Sequence, residues 1–133
     1  MDDIKHIDDP LFKSEVREGM RVDWDVPIEM DDGVVLRANV YRPDDDGQYP
    51  VIMAHGPYGK DLHFEEIYKT CWDLMCENHP DVPAGSTNIH QAWEVADPEK
   101  WVPHGYVLVR VDSRGAGRSP GYLEHFNARE TKD

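Results

Sequence analysis

The stretch Gly105-Tyr-Val-Leu-Val-Arg-Val-Asp-Ser-Arg-Gly-Ala-Gly-Arg-Ser-Pro-Gly121 runs from a strand pattern straight into a glycine-rich loop, and its last five residues spell G-x-S-x-G. That spacing is used where a strand turns sharply into a helix and presents a nucleophilic serine. Two residues argue against such an elbow here. The backbone N–H of the residue after the serine would form half of an oxyanion hole, and Pro120 has no N–H to give. Gly121 then stands where the helix should begin, and Asp112 to Gly117 carries two glycines of an irregular loop. Ser119 is therefore expected to be a loop residue. Tyr106 to Asp112, short and apolar, reads as a buried strand that delivers this loop.

A second segment of the same kind lies upstream. Tyr49-Pro-Val-Ile-Met-Ala-His55 is apolar, bounded by breakers, and reads as a strand covered on both faces, running into the corner Gly56-Pro-Tyr-Gly59. Between the two strands, Asp61 to Asn78 spaces Leu62, Ile67, Tyr68, Cys71, Trp72, Met75 and Cys76 at near-helical intervals, which predicts one or two helices with Asp61 as cap. Residues 79–98 are an expected surface excursion, and Glu99 to Gly105 the end of a short helix. Trp72, Trp93, Trp101 and Tyr68 are expected to pack rather than to form a stacking platform, because no basic residues are interleaved with them.

Before these lies an antiparallel pair. Met20-Arg-Val-Asp-Trp-Asp-Val26 alternates with period two, and Pro27 to Met30 prolongs it. Asp31-Asp-Gly33 supplies a hairpin turn, and Val34 to Tyr41 returns. Residues 1–19 read as a loose acidic arm with at most a short helical turn. At the other end, Asn127 and Glu130 make a capping-box pattern, so a helix is expected to start in the last seven residues. On this reading the sequence is cut in mid-element.

The 133 residues fit one domain. With 27 acidic against 14 basic residues the net charge is −13, which argues against nucleic acid or an anionic membrane as partner. The first ten residues lack the basic and apolar regions of a secretory signal, and no apolar run approaches membrane-spanning length. Cys71 and Cys76 fit neither a redox pair nor a zinc knuckle, and idle thiols in a reducing cytoplasm are expected. His55, Asp61 and His63 lack a third ligand at metal-site spacing, so neither metal nor cofactor is expected.

In order, these segments resemble the X-Pro dipeptidyl-peptidase and cocaine-esterase group of serine α/β-hydrolases. The resemblance rests on Met30-Asp-Asp-Gly-Val-Val-Leu-Arg-Ala-Asn-Val-Tyr-Arg-Pro43, Tyr49-Pro-Val-Ile-Met-Ala-His-Gly-Pro-Tyr-Gly-Lys-Asp61 and the 105–121 stretch. It implies an α/β fold in truncated form: an antiparallel β-hairpin plus two parallel central strands with connecting helices. Residues 20–133 would be the N-terminal part of a catalytic domain, ending before the nucleophile elbow. The resemblance also implies that Tyr58 donates its phenol into an oxyanion hole, a role open to any hydroxyl aimed at a developing alkoxide. The Ser-Asp-His triad would lie beyond Asp133, leaving the chain inactive alone. The substrate of the full-length parent would be a small ester, amide or peptide. Asp112 and Arg114 are expected to anchor loops. Two alternatives stand beside this reading. One is a live Ser119 served by His104 or His125 and Asp112. The other is a small acidic interaction module that kept the start of the fold and lost its catalysis.

Overall fold

The alternating segment 20–42 forms the expected hairpin. Strand β2, Met20–Glu29, returns through the turn at Gly33 into β3, Val35–Arg42, antiparallel to it. The structure, a computed structural model, describes residues 7–133. The first six residues of the expected arm, His6 among them, lie outside the described residues.

The rest of that arm is not loose. Lys13–Arg17 is a strand, β1, paired antiparallel with β2, so that Arg17 stands opposite Met20. The two residues between them, Glu18 and Gly19, have φ of 47° and 76°, the doubly left-handed turn that matches strand twist and calls for glycine. With Val16 its only β-branched residue, β1 is held by its partner: Ser14 Oγ donates to Asp23 at 2.5 Å and Trp24 Nε1 to Glu15 at 2.9 Å. Asp23, polar in the alternating pattern, is thereby fully buried, with Arg42 Nε donating to its other oxygen at 3.2 Å.

The alternation of β2 does not make a single apolar face. The register against β3 shifts between Asp23 and Val26, a β-bulge, and Asp25 takes φ 53°. Up to the bulge, Met20 and Val22 join Tyr41, Leu108 and Val102 in one cluster. Beyond it, Val26 and Ile28 pack with Leu36, Ala38 and Val111 in a second cluster. The bulge therefore hands one periodic stretch of sequence to both sides of the sheet.

Val51–Gly56 forms β4 and Val107–Asp112 forms β5, parallel to each other from Val51 opposite Val107 to Gly56 opposite Asp112. The sheet order is β1-β2-β3-β5-β4, with β5 antiparallel to β3. This is the expected hairpin plus two parallel strands, enlarged by β1. β4 is not covered on both faces, since Val51 and Met53, which share one face, are 58% and 60% exposed; it is also the edge strand of the sheet.

The crossover from β4 to β5 contains α1, Phe64–Ile67, and α2, Lys69–Asn78, followed by a loop, the short helix α3, Pro98–Trp101, and one 3-10 turn. Asp61 does not cap α1. His63 occupies that position without a side-chain cap, and Asp61 instead accepts from Asn39 and Lys60. The aromatic residues pack as expected: Phe64 lies 5.5 Å from Trp72 and 5.2 Å from Trp93 between ring centroids, and Tyr68 stacks on Trp93 at 4.6 Å. Asp97 caps α3 by accepting from Glu99 N at 3.1 Å, with Pro98 at the first helical position. At the C-terminal end, Asn127 accepts from the backbone of Arg129 and Glu130, but the segment forms turns rather than a helix. Glu130 reaches back to the N–H of Phe126. No helix among the described residues is long and apolar enough to cross a membrane.

Candidate functional site

The carboxyl ends of β4 and β5 lie side by side, the place where α/β sheets gather ligands. β4 leaves the sheet at Gly56 and turns through Pro57, Tyr58 and Gly59 to Lys60. That corner is pinned to the end of β5. Ser113 N donates to the Gly56 carbonyl at 3.0 Å, and Lys60 N donates to Asp112 Oδ1 at 2.6 Å. The other carboxylate oxygen of Asp112 accepts from Arg118 N at 2.8 Å. One buried carboxylate thus ties the Tyr58 corner to the 113–121 loop. Gly117 permits this: its φ is 50°, and a Cβ there would run into the Asp112 carboxylate.

Beneath the corner lies a charge cluster that the sequence patterns did not single out. The Lys60 side chain is 1% exposed, and its Nζ sits 2.7 Å from Asp25 Oδ1, 2.8 Å from Asp61 Oδ2 and 3.8 Å from Asp112 Oδ2. Asn39 ties the Asp25 backbone to the Asp61 carboxylate, accepting from Asp25 N at 3.2 Å and donating to Asp61 Oδ1 at 2.8 Å. Burial works against the Lys60 ammonium, but the hydrogen bonds to Asp25 and Asp61 outweigh it and hold the group above its ordinary pKa. The β-bulge brings Asp25 here. A mid-strand aspartate beside an aspartate two residues earlier was the available signal, since neither suits a strand interior without a partner.

Tyr58, half exposed, stands at a cleft of about 160 Å³ that is also lined by His55, Trp93, Val95 and Arg110. The serine of G-x-S-x-G is elsewhere. Ser119 is 4% exposed; its Oγ accepts from Arg37 N at 2.9 Å and donates to the Asp112 carbonyl at 2.7 Å. Its proton and an acceptor site are spent on backbone, and the Asp112 carboxylate on two N–H groups. The structure does not assemble a Ser119–His–Asp112 relay with His104 or His125. Nor do His55 and His63 converge, since His63 Nε2 bonds the Asn88 carbonyl at 2.8 Å while His55 lines the cleft. Arg114 anchors its loop through carboxylates, pairing with Asp32 at 3.0 Å and Asp133 at 2.7 Å. The hydrogen bonds from Arg114, helped by Arg129 against the opposing effect of burial, hold the Asp133 carboxyl at about 2.

The family model for X-Pro dipeptidyl-peptidases of the S15 family matches residues 32–133, which include the hairpin turn, the Tyr58 corner and the 105–121 stretch. The chain belongs to this family. Two crystal structures of a CocE/NonD family hydrolase from Staphylococcus aureus are similar to it. One is 34% identical over 86% of this chain, with a TM-score of 0.66. The other is 32% identical over 92%, with a TM-score of 0.69. The chain spans 19% and 22% of the length of those two structures. No curated protein matched the chain. Membership of the S15 family makes this sheet an α/β-hydrolase sheet.

Proposed function

We propose that these residues supply the first strands and one oxyanion donor of a serine acyl hydrolase acting on small esters, amides or peptides, and that the nucleophile is not Ser119. The observation that carries this reading is the Tyr58 corner: a half-exposed phenol at the carboxyl ends of two parallel strands, on a turn locked to both by Asp112. In the reaction a serine attacks the acyl carbonyl. Tyr58 and a backbone N–H hold the oxyanion, and water then releases the acyl group from the enzyme. The Ser-Asp-His set belongs to sequence outside these 133 residues, so the chain alone lacks the activity. Free Cys71 and Cys76 suit the reducing cytoplasm in which this reading places it.

A fluorophosphonate probe tests the assignment of Ser119. The 133-residue chain is expected to remain unlabelled, and labelling that disappears in Ser119→Ala overturns the reading. In a catalytically active form, Tyr58→Phe is expected to lower kcat about 10²–10³-fold with little change in KM, the signature of a lost oxyanion donor.

A further inference from the structure

Trp93 takes part in two structures at once, the packing of the crossover and the wall of the Tyr58 cleft. Its ring belongs to the aromatic stack, 4.6 Å from Tyr68 and 5.2 Å from Phe64 between centroids. The residue nevertheless stays partly exposed, and with Val95 it lines the cleft of about 160 Å³ on which Tyr58 stands. The segment that carries it is pinned at both ends. Upstream, Phe64 N donates to the Gln91 carbonyl at 3.0 Å, and Gln91 and Ala92 are buried. Downstream, Arg110 donates to the Ala96 carbonyl at 2.8 Å, and Asp97 caps α3. Between these ties Glu94 takes φ 57°, a left-handed backbone that a glutamate keeps only where its surroundings hold it there. Strain of this kind collects where a chain grips a ligand.

We propose that Trp93 sets the size of the group accepted beside the substrate carbonyl, and that this group is a short, uncharged aliphatic chain. The inference rests on the oxyanion reading of Tyr58 and names what fills the rest of that cleft. Ala54, Pro57, Ala92, Val95 and Val111 join Trp93 in a mainly apolar wall. Two cations at the cleft, Lys60 and Arg110, oppose a cationic chain, and the exposed Glu94 carboxylate opposes an anionic one. An apolar cavity of about 150 Å³ holds one benzene molecule. A cleft of about 160 Å³ therefore has room for a carbonyl and roughly three or four carbons. Trp93 is the largest residue of the wall, so its indole fixes that limit. Moving the indole aside for a bulkier group would break its packing with Tyr68 and Phe64.

Butyramide and cyclohexanecarboxamide, which share the carbonyl and differ in bulk, test the wall on the 133-residue chain by NMR titration. Butyramide is expected to saturate one site and to show nuclear Overhauser contacts from its methyl group to the Trp93 ring. Its affinity should exceed that of acetamide about 15-fold, from about fourfold for each of two buried methylenes. Cyclohexanecarboxamide is expected to bind at least about tenfold more weakly than butyramide, and Trp93→Ala to reverse that order. Trp93→Phe keeps an aromatic partner for Tyr68 and is expected to narrow the difference, which covers the case in which the alanine variant does not fold. Tyr58→Phe separates this proposal from the oxyanion reading: it should weaken both amides by a similar factor of about five and leave their ratio unchanged. No effect of Tyr58→Phe overturns the oxyanion reading alone. Equal binding of the two amides to the unaltered chain, butyramide without contacts to the Trp93 ring, or an unchanged ratio in the Trp93 variants overturns the proposal.

Discussion

Replacing Asp112 with alanine removes the carboxylate that joins the two ends of the site, and the structure allows the loss to be worked out. Asp112 is 1% exposed, so its partners cannot be rescued by bulk water without local opening. Lys60 N, buried and 2.6 Å away, loses a charge-assisted bond worth about 1.5–3 kcal/mol. Arg118 N, part-buried at 2.8 Å, loses about 1 kcal/mol more. The Lys60 ammonium is 3.8 Å from Asp112 but closer to Asp25 and Asp61, so its loss adds little. Asp112→Ala is therefore expected to cost about 2.5–4 kcal/mol, a large share of a typical domain stability of about 5–15 kcal/mol. Asp112→Asn keeps an acceptor for Lys60 N but turns an NH₂ toward Arg118 N, and should cost about 2 kcal/mol. Urea unfolding measures both, with the midpoint falling at unchanged slope. A shift equivalent to less than about 1 kcal/mol for the alanine variant, or an asparagine variant as damaged as alanine, refutes the clamp.

Ser119→Ala removes the acceptor of Arg37 N and the donor to the Asp112 carbonyl, and is expected to destabilise by about 1–2 kcal/mol in the same urea assay; a neutral effect would contradict its role as a loop tie. Lys60 has its pKa raised on folding, so its stabilising contribution is complete below the ordinary lysine value of 10.5 and is lost as pH rises through the higher folded value. Far-UV circular dichroism should show alkaline unfolding that begins only above that ordinary value. Lys60→Met should flatten this part of the profile, and an unchanged profile would show that the ammonium is not the group responsible. Met53→Lys places a charge on the exposed face of edge strand β4 and is expected to reduce self-association in size-exclusion chromatography; an unaltered elution profile would mean that this edge is not where copies meet.

The hairpin, both parallel strands and the corner at Tyr58 were legible because each rests on a local signal: period-two alternation, an apolar run between breakers, or glycine at a turn. β1 was not, because Lys13 to Arg17 has a single β-branched residue and gains its structure from pairing with β2. Its two-residue turn at Glu18-Gly19 was the one local cue. The Asp61 cap failed for a related reason. A carboxylate ahead of a helical pattern does suit an N-cap, but here the Lys60 ammonium and the Asn39 amide, one of them 22 positions away in sequence, offered it stronger partners. The Asp25–Lys60 pair left only the cue of two aspartates inside one strand, since the β-bulge that creates it reverses the facing of β2 in the middle of an unbroken alternation.

The Asp61 and Asp25 corrections share one physical cause, and it bears on the Tyr58 corner. Alternation and capping rules describe a chain competing only with itself and water. At the carboxyl ends of β4 and β5, three aspartates, one lysine and one arginine from distant segments instead settle one another's charge. That arrangement costs regularity: a bulge, a left-handed Asp25 and a loop containing left-handed Gly117. What it gains is a corner whose backbone is fixed from two sides, so that Tyr58 can stay half exposed without its turn drifting. On the proposed reading of Tyr58 as an oxyanion donor, its hydroxyl contributes most when its position is set before the charge appears. Pro120, which bars the neighbouring serine from an oxyanion hole, belongs to the same loop that the Asp112 clamp holds. On that proposal, the segment that imitates an active-site motif acts as the scaffold of the Tyr58 corner.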